Sequence, residues 1–240
     1  MLIALIDTET SGLDPAKDAL LEVAVVTFDS DHNQPVEARS WLIQAEKNPA
    51  ESINDISEAL LHERGRFGSG RSRAALELAA MLADAGSICA WNAAFDRPWV
   101  EAFIKHYDAD VRAPWVCAMD DMTWPKPSPS RSLMATALAH GVGVMDAHRA
   151  LADVLTMVRL FQRAAEMGCD VAEMVRRGLR PKSEYAAIVT YEQREVAKKN
   201  GFRWDGDRKL WVRKLFDADV AGELFPFRIS RTAESEGAES

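Results

Sequence analysis

The amino-acid sequence predicts an α/β domain with a partly antiparallel sheet, followed by a small α+β module. Three observations carry that expectation. Apolar strand-like runs fill the first 45 residues, and strands and helices then alternate as far as residue 167. A Gly/Pro-containing stretch at residues 178–183, "GLRPKS", then precedes a second strand–helix–strand set. A chain of 240 residues is long enough for one domain of ordinary size and an appendage.

Taken in order, residues 2–7 read as a buried strand and "LLEVAVVTF" (20–28) as its neighbour, with "SWLIQA" (40–45) as a third strand. "SINDISEALLHERG" reads as a loop and then a helix, and residues 64–73, rich in Gly, Ser and Arg, as a loop. A helix over 74–86 ends at Gly86. "SICAW" is a short strand, "RPWVEAFIKHY" a helix with Pro98 near its first turn, and "APWVCAM" another strand. Helices over 133–140 and 149–167 flank "GVGVMDAH". Beyond the boundary come a strand "YAAIVT", a helix "YEQREVAKKNG", and two strands in "FRWDGDRKLWV" that turn at Asp205-Gly206. The expected division is a domain over 1–177, a linker over 178–183, a basic module over 184–228 and a disordered acidic tail over 229–240.

Composition excludes several classes. Hydrophobic residues make up 48% and charged residues 28%, as in soluble globular proteins. No apolar stretch approaches the roughly 20 residues a membrane helix needs, and the N-terminus lacks the parts of a signal peptide. Cys89, Cys117 and Cys169 lack metal-ligand spacing and read as reduced thiols of a cytoplasmic protein with no membrane partner. The net charge of −8 is unevenly spread. Residues 1–175 hold 15 basic against 26 acidic side chains, whereas residues 176–240 hold 14 against 11. A polyanionic partner would therefore be met by local basic patches and metal ions.

The first strand carries the sharpest signal. Asp7 and Glu9 stand two residues apart, which places them on one face of a strand. Two like charges where burial is expected are costly unless something neutralises them. Asp96 falls where a buried strand gives way to a helix. His148 and Asp153 open the last long helix, five residues and about 140° apart. They converge only if His148 lies on the loop before that helix. Four carboxylates and a histidine suit metal-assisted hydrolysis of a phosphodiester. Hard oxygen ligands select Mg2+ or Mn2+, and two such ions about 4 Å apart can activate water and stabilise the leaving oxygen. A nearby histidine can take the proton of that water.

"DTETSGL", "NAAFD" and "HRALADV" resemble the three motifs of the DnaQ-like, DEDDh-type 3′–5′ exonucleases, in the same order. "SINDIS" resembles their substrate-binding loop, and "VCAMDDMTWPKPSPSRSLMATALAHGV" looks most like the exonuclease X-like members. The resemblance implies an RNase H-like fold with a mixed central sheet flanked by helices. It implies that Asp7, Glu9, Asp96 and Asp153 hold two Mg2+ or Mn2+ ions and that His148 is the general base. It further implies that Thr8, Thr10, Ser11, Gly12 and Leu13, with Ile53, Ile56, Asn92 and Phe95, cradle the terminal nucleotide. Two departures stand out: Trp91 where many relatives have His, and Ile53-Asn54-Asp55-Ile56-Ser57 where the loop often reads I-H-G-I-T.

Residues 194–214 hold eight basic side chains against three acidic ones, interleaved with Phe202, Trp204 and Trp211. Lys198, Lys199, Arg203, Trp204, Lys209 and Trp211 are candidate contacts for a single strand, since aromatic faces stack on bases while cations meet phosphates. The two tryptophans equally suit the core of a small domain. The function expected is removal of nucleotides from 3′ ends of single-stranded DNA, releasing 5′-monophosphates. The rivals are an RNA-directed exoribonuclease, a polymerase-accessory factor and a nucleic-acid adaptor. A homodimer or a polymerase or repair partner is compatible with the sequence.

Overall fold

The computed structural model describes residues 1–144, 148–220, 222 and 225–232. Its contacts divide into two compact units, Met1–Leu179 and Arg180–Ser240. The first unit runs β1 (Leu2–Thr10), β2 (Leu20–Asp29), β3 (Gln34–Leu42), α1 (Glu51–Asn54), α2 (Glu58–Arg64), α3 (Gly68–Ala83), β4 (Ser87–Ala90), α4 (Ala93–Lys105), β5 (Trp115–Cys117), α5 (Leu133–Ala139), α6 (Ala150–Glu166) and α7 (Val171–Gly178).

The five strands form one mixed sheet in the order β3-β2-β1-β4-β5. β1–β2 and β2–β3 are antiparallel, whereas β1–β4 and β4–β5 are parallel. Side chains alternate across a strand, so β1 serves two cores. Ala4 and Ile6 pack with Leu78 and Leu82 of α3 and with Val100 and Phe103 of α4. Ile3 and Leu5 pack with Val154, Met157 and Phe161 of α6 on the opposite face. Asp7 and Glu9 continue the Ile3–Leu5 face, which is the α6 side of the sheet.

Several boundaries differ from the sequence reading. β1 extends to Thr10, because Thr8 and Glu9 still pair with Val23 and Glu22 before a bulge at Glu9–Thr10. β3 starts at Gln34 and ends at Leu42, where residues 40–45 were expected. It is an edge strand whose first six residues are exposed, so its polar composition concealed it. α3 starts at Gly68, inside the stretch expected to be a loop. No helix among the described residues is long and apolar enough to cross a membrane.

The second unit is β6 (Lys182–Ile188), a 3-10 turn (Tyr191–Gln193), α8 (Arg194–Lys199), β7 (Arg203–Asp205), β8 (Leu210–Phe216) and β9 (Arg228–Arg231). Its antiparallel sheet has the order β7-β8-β6-β9. Phe202, Ala187 and Ala197 form its core, with Phe225, Phe227, Ile229 and Trp211 packed against them. β6 starts inside the expected linker, and β9 takes up residues 228–231, most of which were expected in the disordered tail. Pairing with β6 supplies the backbone partners that make Arg228–Arg231 a strand despite its charge. Residues 233–240 of the expected tail lie outside the described residues.

Candidate active site

β1 and β4 are parallel neighbours, and the first unit's acidic groups gather at their carboxyl ends, where open α/β sheets leave a crevice. Asp7 and Glu9 come from the end of β1. Asp96 lies in the first turn of α4 and is buried. Asp153 lies in the first turn of α6, and His148 on the loop just before that helix. A cavity of about 200 Å3 is lined by all five, together with Thr8, Trp91, Asn92, Phe95 and Leu133. Oxygen atoms of Asp7, Glu9 and Asp153 lie within 4.8 Å of one another. Asp96 is fixed beside them by Thr8, whose Oγ1 donates to its Oδ1 at 2.8 Å.

Without a cation these carboxyls are frustrated. Burial first, and then the charges of Asp96, Asp153, Glu9 and Glu22, push the Asp7 carboxyl well above the ordinary carboxylate range. Burial is also the largest cause for Glu9, pushed up to about 8, and for Asp96, pushed up to about 7. Asp153 is raised by burial, opposed by hydrogen bonding and charge from His148. An all-oxygen donor set held close in a poorly solvated pocket fits a hard divalent cation. His148 is exposed and has a φ of 70°, a left-handed backbone seldom adopted by a side chain of this size. That conformation puts the imidazole on the cavity wall beside the start of α6.

Glu22 was not singled out from the sequence, yet it braces the site. It is 3% exposed and lies opposite Glu9 on β2. Its carboxylate accepts from Arg149 Nε at 3.0 Å and Nη2 at 3.3 Å, from Ser40 Oγ at 2.9 Å, and from the main-chain N–H of Ala150 at 3.2 Å. α6 has no capping side chain of its own at Arg149, so a carboxylate from a distant strand meets its first amide. The signal was present in "LLEVAVVTF", where an acid interrupts an apolar run. Leu133, also missed, gives no comparable signal.

The loop after β1 behaves less uniformly than expected. Thr10 Oγ1 donates to the Gly12 carbonyl, and Ser11 Oγ accepts from the Ala19 N–H, so both side chains hold the loop itself. A Cβ on Gly12 would meet the Asp18 carboxyl at 2.3 Å, which explains glycine there. Leu13 and Ile53 are exposed at 85% and 64% and offer apolar surface. Ile56 is corrected by its burial: fully enclosed with Leu21 and Leu61, it is a core residue and offers no surface to a substrate. Asn54, which replaces the usual His, donates to the Thr10 carbonyl and accepts from Asn48 Nδ2 and the Ile56 N–H. Trp91 donates to the Arg131 carbonyl and contacts Trp124 at 5.8 Å, forming one wall of the cavity.

Residues 4–161 match the family described as "Exonuclease". The chain belongs to this exonuclease family. Its first unit has the RNase H-like fold of the DnaQ-like group. Solved structures of similar fold include exonuclease I, with a TM-score of 0.61, 17% identity and coverage of 78% of this chain and 48% of that one. Exonuclease I of E. coli in complex with a dT13 oligonucleotide gives 0.59, 17%, 78% and 48%. The zinc-bound form of the E. coli enzyme in complex with single-stranded DNA gives 0.61, 16%, 78% and 48%. This exonuclease-family chain thus spans about half the length of those proteins. No curated protein matches it. Residues 183–230 match a family described only as a domain of unknown function. In that second unit Lys198, Arg203, Trp204, Lys209 and Trp211 line one cleft, which does not include Lys199.

Proposed function

We propose that this exonuclease-family chain removes nucleotides from the 3′ ends of single-stranded DNA, using two Mg2+ or Mn2+ ions and releasing nucleoside 5′-monophosphates. The observation that carries the reading is the convergence of Asp7, Glu9, Asp96, Asp153 and His148 on one small cavity, where burial raises the four carboxyls above their ordinary range. Asp7, Glu9, Asp96 and Asp153 would hold the ions, which would neutralise the crowded carboxylates and stabilise charge on the leaving 3′ oxygen. His148, exposed beside them, takes the proton of the attacking water. Thr8 keeps Asp96 in place. The main chain of Thr10–Leu13, the exposed Leu13 and Ile53, and Asn92 and Phe95 at the cavity receive the terminal nucleotide. The choice of single-stranded DNA follows the oligonucleotide-bound exonuclease I structures of the same fold.

The test incubates 5′-labelled single-stranded DNA, duplex DNA and RNA with the protein and Mg2+ or Mn2+. The expected outcome is a ladder shortening from the 3′ end of single-stranded DNA, lost in EDTA and in Asp7→Ala. Absence of cleavage of every substrate with either ion sinks the reading, and faster shortening of RNA reassigns the substrate.

A further inference from the structure

We propose that the second unit carries a base-stacking cleft for an unpaired nucleic-acid strand, built between the segment 191–199 and the β7–β8 hairpin. The inference deepens the reading of the chain as an enzyme of single strands by giving the strand a holding point apart from the acidic cavity. The cleft encloses about 970 Å3 and is lined by aromatic, aliphatic and basic side chains.

Its aromatic groups are divided in their roles. Trp204 and Trp211 are directly opposed across β7 and β8, with ring centroids 5.7 Å apart. Trp211 packs on the small core, whereas Trp204 leans on Trp211 and stays 52% exposed. Tyr191 is 75% exposed, and the Arg194 guanidinium lies 4.0 Å from its ring centroid. The core of Phe202, Phe225 and Phe227 closes without Trp204 or Tyr191. Two largely exposed aromatic rings at the edge of one cleft suit planar bases, because every base has a π-face.

The charges complement such a ligand. Arg194, Lys198, Arg203 and Lys209 line the cleft against a single acid, Glu195. Near the cleft, Arg194 pairs with Glu195 at 3.8 Å, and Arg208 with Glu184 and Asp205. Lys198, Arg203 and Lys209 take part in none of them. Arg208 is thereby committed to the turn, whereas Lys198, Arg203 and Lys209 on the cleft are placed to meet phosphates. An acidic peptide would meet the cations, but the exposed ring faces favour the flat bases of a nucleic acid.

The test uses a short closed circle of single-stranded DNA, which has no 3′ end for the acidic cavity, and full-length protein carrying Asp7→Asn. Binding is read from the anisotropy of a label on the circle. Tyr191→Ala and Trp204→Ala are each expected to weaken binding about tenfold, with Trp204→Phe restoring much of the loss. Replacing both Lys198 and Lys209 with Gln should lower the slope of log K against log salt by about 1.4. Tyr191 projects into solvent, so its replacement leaves folding intact and keeps the test valid if Trp204→Ala unfolds. The proposal is overturned if both alanine variants bind like the parent, if a circle lacking bases binds equally well, or if an acidic peptide binds more tightly than the circle. No cleavage is read, so a failure here is distinct from a failure of the exonuclease reading.

Discussion

Asp7 and Glu9 sit where burial disfavours their charged forms, and the consequence can be measured in the absence of cations. Glu9 is pushed up to about 8 and Asp96 to about 7, both above the range of an unfolded chain. Between about pH 4 and pH 8 the folded protein therefore retains protons that the unfolded chain has released, and stability falls as pH rises. The metal-free protein should show a Tm that declines from pH 5 to pH 8, and Mg2+ should raise the Tm more at pH 8 than at pH 5. In Asp7→Asn the decline should shrink; a decline equal to that of the parent counts against the crowding of these carboxyls. The acids themselves were legible in the sequence because each interrupts an apolar run or a strand–helix junction. Glu22 sends the same kind of signal, but its meaning depends on Arg149, which lies 127 residues further on. Ile56 misled for the opposite reason, since only packing against Leu21 and Leu61 distinguishes a core isoleucine from a surface one.

Elements held by long-range packing were the least legible. The residues Gly68-Ser-Gly-Arg-Ser-Arg favour a loop on intrinsic preference, yet they continue the helix whose face of Ala74, Ala75, Leu78 and Leu82 packs on the sheet. Once that face is anchored, each added residue gains a helical hydrogen bond with no further nucleation. The two glycines there behave differently. Gly68 has a φ of 49°, which a side chain would strain, whereas a Cβ on Gly70 would meet only Arg66 Cδ at 3.7 Å. Gly70→Ala should therefore stabilise the protein by about 0.5–1 kcal/mol in urea unfolding, and Gly68→Ala should not. Equal effects of the two would place the start of α3 elsewhere. The sequence reads residues 52–57 as a loop, but its first part, Ile53 and Asn54 included, belongs to the short helix α1. Asp55 adopts a φ of 57°, where relatives often have Gly, and the buried Asn54 ties the loop to the main chain after β1.

At the scale of the whole molecule, the net negative charge is carried by the first unit, and the strand-based site depends on a tie across that unit. Glu22 receives Arg149 and the first amide of α6, and so joins β2 to the helix that presents Asp153. Glu22→Ala should cost about 3 kcal/mol in denaturant unfolding, because it takes a buried carboxylate from its cationic partner. Under conditions where the variant is fully folded, kcat should fall more than KM rises, since His148 and Asp153 lose their common support. An unchanged kcat would make Glu22 a stabilising residue only. The broad α/β plan and the order of the acidic motifs were readable because they are local patterns; this tie was not, because it joins a strand to a helix far along the chain. Its span has a bearing on biosynthesis. β1 and β2 leave the ribosome well over a hundred residues before α6, so a growing chain displays Asp7 and Glu9 with neither Asp153 nor the anchored helix. Under the proposed function, such a chain gains activity only once nearly the whole first unit has been made.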